Sequence, residues 1–134
     1  MASQIFLNLP VKDLNKSIDF FTKLGYTFNP QFTDENATCM IISDTIYAML
    51  LTEPFFKGFT KKEIPDTTVS NECIIALSAD SREAVDAMIA KAVEAGATTP
   101  SAPQDHGFMY GHSFTDLDGH LWEYFWMDPN HIQG

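Results

Sequence analysis

The first half of the chain changes from a strand-like to a helix-like spacing of apolar residues. Residues 4–11 (QIFLNLPV) form a short apolar stretch that is typical of a β-strand. In residues 12–26, Asp13 or Asn15 can cap the start of a helix, and Gly25 can supply its left-handed C-terminal residue. Apolar residues recur there at helical spacing, namely Leu14, Ile18, Phe21 and Leu24. Three short β-rich stretches follow, separated by turn residues: YTFNPQF, ATCMIIS and IYAMLLT.

The second half repeats this order of elements although the letters differ. Residues 72–79 (ECIIALSA) predict a strand, and residues 80–96 predict a helix in which Asp80 and Glu83 have capping-box spacing and Gly96 marks the end. Its predicted apolar face comprises Val85, Met88, Ile89, Ala92 and Val93. Then come an extended segment at 97–99, the strand GFMYGHSF, the turn TDLDG and the strand HLWEYFW.

Each half therefore reads strand, helix and three strands, which predicts an α+β fold of two βαβββ modules. We expect a single domain over residues 1–134, with module 1 at about 1–60, module 2 at about 72–128 and a connection at about 53–71. Two such modules can join their bare sheet faces into a cup-shaped mixed sheet, with the helices outside. In the last strand the side chains alternate, so Trp122, Tyr124 and Trp126 are predicted to face a helix and Glu123 to face the cup.

Composition and charge exclude several classes of function. The chain has 134 residues, a formal net charge of −10 and 45% hydrophobic residues. So acidic a chain lacks the basic face that nucleic acid needs. Arg82 is the only arginine, which argues against an arginine clamp on a phosphate. No stretch is long and apolar enough to span a membrane. Without an export signal, Cys39 and Cys73 are expected to be reduced, buried thiols in a cytoplasmic protein.

Glu123 lies in the middle of an apolar strand, and a buried carboxylate normally has a partner, a metal or a proton. If residues 116–119 form a four-residue hairpin loop, His112 is directly opposite Glu123 on the cup face. Their expected neighbours are Tyr110, Phe114, Leu121 and Phe125. Such a pair could be catalytic as a general acid and base, could bind a ligand, or could be purely structural.

Two stretches together resemble the vicinal oxygen chelate superfamily of glyoxalases, bleomycin-resistance proteins and extradiol dioxygenases. They are LPVKDLNKSIDFFTKLGY in the first module, with V-x-D-L-x-x-S-x-x-F-[FY], and DLDGHLWEYF near the end, with D-x-D-G-x-x-x-E. The resemblance covers essentially the whole chain. It implies a cup-shaped cavity for a small-molecule ligand and a homodimer.

The metal enzymes of this superfamily take four ligands from the cup face. Carried over onto this sequence, the resemblance places those ligands at Phe6, Leu50, Ile74 and Glu123, with Glu53 as an alternative to Leu50. Phe, Leu and Ile cannot coordinate a divalent ion. We therefore expect no metal cofactor, and expect Phe6, Leu50 and Ile74 to line a ligand site, as in the bleomycin-resistance branch.

Three further features are candidates for the site or its surroundings. Asn8 shares a strand face with Phe6, so its amide could bind a ligand or a backbone group. His106 is expected at the cup rim, either in contact with a ligand or solvated. The segment 53–60 (EPFFKGFT) could be a lid, a dimer contact or a cover for the sheet end.

These observations predict a protein that binds a small apolar or aromatic molecule without a metal. The alternative is an enzyme, either a metal-dependent lyase or isomerase of the glyoxalase I type or a dioxygenase, in which Glu123 is a ligand or a base. A dimeric interaction domain without a ligand is the third possibility.

Overall fold

The structure of the protein, a computed structural model, describes residues 3–130. The chain divides into two compact units, Met1–Pro65 and Asp66–Gly134, which we call unit 1 and unit 2. Over the described residues, none of the helices has the length and hydrophobicity needed to cross a bilayer.

Unit 1 contains a four-stranded mixed sheet. Its strands are β1 (Ile5–Val11), β2 (Thr27–Asn29), β3 (Ala37–Ile41) and β4 (Ile46–Thr52), and its helices are α1 (Leu14–Lys23) and α2 (Glu53–Lys57). The strand order is β1-β4-β3-β2, with β1 parallel to β4 and the other pairs antiparallel.

Helix α1 begins and ends where its sequence predicts. The Asp13 side chain accepts a hydrogen bond from the Lys16 backbone N–H, which caps the helix start. After the helix, Gly25 has a φ of 105°, a conformation that residues with a Cβ rarely adopt. Phe20 and Phe21 are each 1% exposed, and burying a side chain of this size contributes roughly 1.5–3 kcal/mol.

Unit 2 repeats this topology. Its strands are β5 (Ile74–Ser78), β6 (Gln104–Asp105), β7 (Met109–Thr115) and β8 (Leu121–Met127), and its helix is α3 (Arg82–Glu94). The strand order is β5-β8-β7-β6, which corresponds strand by strand to the order in unit 1, and β5 is parallel to β8 just as β1 is to β4. Both sheets are open rather than closed on themselves. The α+β fold of two βαβββ modules is thus confirmed.

Two local predictions in unit 2 are wrong. The extended segment at 97–99 contributes only an isolated bridge between Thr98 and Thr115, and the strand that pairs with β7 is β6. The N-cap of α3 is Ser81, whose hydroxyl accepts from the Ala84 N–H, rather than Asp80. Both Asp and Ser are good N-caps, so adjacent residues of these types leave the boundary uncertain by one position.

Candidate functional site

The sheet of unit 2 has two chemically different faces. Helix α3 contacts β7 and β8. On that side Trp122 is fully buried and Tyr124 is 4% exposed, as the alternation in the sequence predicts. We call the opposite side of this sheet the open face. The strand registers place on it Ile74, Ala76, Ser78, Gln104, Gly111, Ser113, Thr115, Leu121, Glu123 and Phe125.

Glu123 lies near the middle of the open face. It is directly opposite Ser113 on β7 and Ala76 on β5, and Leu121 and Phe125 flank it along β8. Its side chain is partly exposed. Glu123 has no hydrogen bond or ion pair with any residue between 3 and 130. The carboxylate that the sequence singles out is therefore on the side of the sheet away from α3, and its oxygens are not used in a hydrogen bond or ion pair among residues 3–130.

The predicted pairing of His112 with Glu123 is wrong by one residue. His112 is opposite Tyr124 on the side facing α3, and its Nε2 donates to the Ser101 carbonyl oxygen at 3.1 Å. Because side chains alternate, a shift of one residue in register moves a whole strand's side chains to the other face. An acid–base pair of His112 and Glu123 is therefore not formed.

The same shift removes two more residues from the surroundings predicted for Glu123. Phe114 is fully buried on the α3 side, where its ring stacks 6.0 Å from that of Tyr124. Tyr110 is also on that side and donates its hydroxyl to Asp86 of α3 at 2.6 Å. This hydrogen bond is the main cause of the raised pKa of Tyr110.

The cause of the register error is the length of the hairpin loop. The Asp116 N–H donates to the His120 carbonyl at 3.0 Å, so only residues 117–119 form the loop. Gly119, with a φ of 81°, supplies the left-handed residue typical of three-residue hairpin loops. A four-residue loop, as predicted from the sequence, would have shifted the register by one.

The buried side chain of Asp116 stabilises this loop by hydrogen bonds. Its carboxylate accepts from the indole N–H of Trp122 at 2.9 Å and from the backbone N–H groups of Asp118 and His120. Burial raises the pKa of Asp116, and the nearby His120 and these hydrogen bonds act in the opposite direction. His120 beside it is also buried, at 8% exposed.

On the side of the sheet that faces α3, Arg82 joins the helix to the edge of the sheet. Its guanidinium donates to both carboxylate oxygens of Asp105, at 2.7 and 3.0 Å, and to the Gly107 carbonyl at 2.9 Å. The guanidinium also lies 5.2 Å from the ring centroids of Tyr110 and Trp126. The hydrogen bonds that the Asp105 carboxylate accepts from Arg82 and from the Gly107 backbone N–H lower the pKa of Asp105 to about 2. Arg82, the only arginine in the sequence, therefore attaches β6 to α3. Its guanidinium lies on the α3 side of the sheet and is not directed toward a ligand on the open face.

In unit 1, Phe6 and Asn8 share a face of the sheet, as predicted. The Phe6 ring stacks on Tyr47, with centroids 4.8 Å apart and planes at 12°, and Phe6 is 49% exposed. The Asn8 side chain donates to the Phe6 carbonyl at 3.1 Å and is opposite Met49. Its amide thus binds a backbone group of its own strand.

Leu50 is misplaced in the sequence prediction. It pairs with Leu9, faces away from Phe6 and Asn8, and is 1% exposed. The β4 residues that share a face with Phe6 are Tyr47, Met49 and Leu51. Because β1 and β4 are parallel and joined through other elements, no tight turn sets their register in the sequence.

The residues present do not fit the metal site that the resemblance implies. The side chains of Phe6 and Ile74 are hydrocarbons and cannot bind a metal. Met49, which lies on the Phe6 face of β4 where Leu50 was expected, is no better as a ligand, since a Met thioether suits only soft metals. Within neither unit do three or more His, Cys, Asp or Glu side chains of residues 3–130 come together as metal ligands. Glu53 is the first residue of the short helix α2.

Two predicted ligand residues are at the margins of the open face. Ile74 is 62% exposed at its β5 edge. His106 follows β6, donates its backbone N–H to the Met109 carbonyl and is exposed.

Sequence reasoning missed Ser113 and Ala76, the cross-strand neighbours of Glu123, although a correct loop length would have identified Ser113. Cys73, expected to be buried, is exposed, whereas Cys39 is buried as predicted; both are free thiols.

Comparisons with known proteins agree on the fold. Residues 4–124 match the family model of the Glyoxalase/Bleomycin resistance protein/Dioxygenase superfamily. A hypothetical protein from S. aureus is 31% identical, with a TM-score of 0.78 over 93% of this chain and 94% of that chain. A family enzyme from Burkholderia phytofirmans is 15% identical, with a TM-score of 0.80 over 94% and 99% of the two chains.

TnmS3, an antibiotic binding protein from a Streptomyces species, is 18% identical, with a TM-score of 0.68 over 95% of this chain and 97% of that chain. At this level of identity the similarity is one of fold alone. The search of curated proteins gave no match. The match of the family model over most of the sequence is decisive: the chain belongs to the Glyoxalase/Bleomycin resistance protein/Dioxygenase superfamily.

Proposed function

We propose that the protein binds a small molecule with an apolar or aromatic body on the open face of unit 2, without a metal. The observation that supports this most directly is the position of Glu123. It lies between Leu121 and Phe125, partly exposed and without a polar partner among residues 3–130. Contact with an apolar molecule removes hydrocarbon surface from water, at about 25 cal/mol per Å². Glu123 then supplies the polar contact that orients the molecule.

Unit 1 supports the same kind of function by its own composition. The stacked rings of Phe6 and Tyr47 offer a flat aromatic surface, and Asn8 beside them is exposed. Aromatic rings prefer stacked or edge-on partners, so this surface suits a ligand with a planar ring. Sequestration of a toxic compound is one form that such binding could take, and the Streptomyces protein of similar fold is described as antibiotic binding.

The proposal is tested by titration with an uncharged aromatic probe, naphthylmethanol, followed by NMR of the backbone amides. We expect saturable shifts in β5, β7 and β8. Ile74→Ser should weaken binding about tenfold, since Ile74 is 62% exposed on the open face. Val69→Ser is the matched control, because Val69 is an 80% exposed aliphatic residue outside the sheet. Equal weakening by both variants, or no saturable binding at all, would contradict the proposal.

Homodimer formation and a cytoplasmic location are also part of the proposal. For the dimer, the candidate contact is helix α2 with the turn that follows it, where Phe55 of the helix packs edge-on against Phe59 of the turn at 5.2 Å and Phe59 remains 72% exposed. Sedimentation equilibrium should give a dimer that Phe59→Ser weakens and that Phe32→Ser, at a 60% exposed control position, leaves unchanged. A monomeric parent protein, or equal effects of the two changes, would overturn this part.

A further inference from the structure

We propose that the ligand of the open face carries a protonated amine, which is held jointly by Glu123 and Ser113. This inference rests on the proposed function, because it names the chemical class of the molecule bound at the same place. It depends on three observations: the spacing of these two residues, the absence of internal partners for either side chain, and the charge of unit 2.

The backbone pairing brings Ser113 and Glu123 close together. At one end of the β7–β8 hairpin the Asp116 N–H donates to His120, and at the other the Asp128 N–H donates to Phe108 at 2.7 Å. Hydrogen-bonded and non-hydrogen-bonded pairs alternate along an antiparallel ladder. Counting from either end, Ser113 and Glu123 form a non-hydrogen-bonded pair, in which the Cα atoms are about 4.5 Å apart and the side chains are closest.

Neither side chain uses its polar atoms inside the protein. Among residues 3–130, the Ser113 hydroxyl and the Glu123 carboxylate make no hydrogen bond, either to each other or to other groups. Both residues are partly exposed. Their neighbours on the open face include Ala76 and Gly111, which are too small to cover them. Two adjacent oxygen-bearing groups therefore lie on the open face among residues that are largely apolar.

The charge of the chain is concentrated in this unit. Unit 2 has eleven carboxylates and two basic side chains, Arg82 and Lys91, which gives a formal charge of −9. Unit 1 has seven carboxylates and six lysines, a formal charge of −1. Arg82 is already paired with Asp105. An anionic ligand at Glu123 would thus meet repulsion and no free arginine, whereas a cation is attracted.

A primary ammonium group fits the two acceptors. It has three N–H donors and no acceptor, whereas a carboxylate accepts only and a serine hydroxyl can accept. Two of its donors can reach Glu123 and Ser113 while the third stays in water. Hydrogen bonds between ionised partners are roughly twice as strong as neutral ones. The apolar body of the ligand then lies along Leu121 and Phe125.

The test compares three probes with one ring system at neutral pH: naphthylmethylamine, naphthylmethanol and naphthoate. Affinities come from NMR titration of the parent protein. We expect the amine to bind about tenfold more tightly than the alcohol, and naphthoate to bind most weakly. Glu123→Gln should remove the preference for the amine, and Ser113→Ala should reduce it in part. Glu94→Gln removes the same charge from an exposed position in the same unit and should keep the preference.

The outcomes separate this inference from the proposed function. Equal binding of amine and alcohol to the parent protein would overturn the ammonium assignment and leave the proposed function standing. A preference for the amine that survives Glu123→Gln, or that Glu94→Gln also removes, would reflect general attraction to an acidic protein and overturn the assignment. If naphthylmethanol does not bind to the parent protein, both proposals fail, because this inference rests on the proposed function. Thermal unfolding of each variant verifies that the fold is intact.

Discussion

Ser113 is directly opposite Glu123 across the β7–β8 ladder, and no internal hydrogen bond joins the two side chains. The pair sets the chemistry of the open face, since it places a carboxylate and a hydroxyl next to each other between apolar residues. The Ser113–Glu123 pair also shows that β7 and β8 are not in the register predicted from the sequence, in which His112 would lie opposite Glu123.

The register itself can be tested in solution. In a non-hydrogen-bonded antiparallel pair the two Hα atoms point toward each other, because the Cα atoms are only about 4.5 Å apart. We therefore expect a strong Hα–Hα nuclear Overhauser effect between Ser113 and Glu123. The matched comparison is His112 with Glu123, which should give none. A strong effect for His112 instead would restore the four-residue loop and the acid–base pair.

Asp116 and Glu123 should differ sharply in their contributions to stability. Replacing Asp116 by Ala removes the acceptor of the Trp122 indole and of two backbone N–H groups inside the hairpin. Buried donors without partners are costly, so Asp116→Ala should lower the free energy of unfolding by about 3 kcal/mol. Glu123→Gln breaks no internal contact and should change it by less than about 0.5 kcal/mol. Urea unfolding of both variants measures this contrast, and equal effects would refute it.

Arg82 should hold the segment around Asp105 and Gly107 against α3. Arg82→Lys keeps the charge but loses the two-pronged contact with Asp105 and the flat stacking on Tyr110 and Trp126. We expect the backbone amide of Gly107, which donates to Asp105, to exchange its hydrogen several-fold faster in this variant. Lys91→Arg, a charge-conserving change elsewhere on α3, should leave that rate unchanged. An unaltered rate in Arg82→Lys would show that the contact does not order the segment.

The contact between Arg82 and Asp105 also predicts how the free energy of unfolding depends on pH. The folded pKa of Asp105 is about 2, below its ordinary value of 3.8, because Arg82 and the Gly107 N–H bind the ionised form. A carboxyl with a lowered pKa stabilises the fold above its unfolded pKa, and this contribution is lost as the pH falls from about 4 through about 2. In Arg82→Ala the carbon-13 titration of the Asp105 carboxyl should move toward its ordinary range. Asp116, whose pKa burial raises, should titrate above Asp105 in the parent protein.

Much of the fold could be predicted because its signals are local. An N-cap at Asp13 or Asn15, Gly25 and Gly96 after the helices, and the burial of Trp122 and Tyr124 all follow from caps and alternation, and the structure selects Asp13 as the cap. These features depend on neighbours a few residues away. The repeated β-α-β-β-β order was likewise visible in the sequence.

The candidate site was harder to predict because it depends on register. The hairpin loop has three residues instead of the predicted four. As a result Tyr110, His112 and Phe114 lie on the α3 side of the sheet, and Ser113 is the residue opposite Glu123. For Leu50, the parallel pairing of β1 and β4 has no connecting turn whose length could be counted. The side of the sheet on which Glu123 lies could be predicted from its own strand, because the alternate ring-bearing residues of that strand had to be covered by a helix.

The central claim is that this open face binds an apolar molecule through Glu123 without a metal. It is tested most directly by titrating tag-free protein with naphthylmethylamine before and after treatment with a chelator, with the metal content measured by elemental analysis. We predict less than stoichiometric zinc, nickel or iron, and an affinity that the chelator leaves unchanged. A stoichiometric divalent metal whose removal abolishes binding would contradict the claim and favour a metal-dependent enzyme of the glyoxalase type.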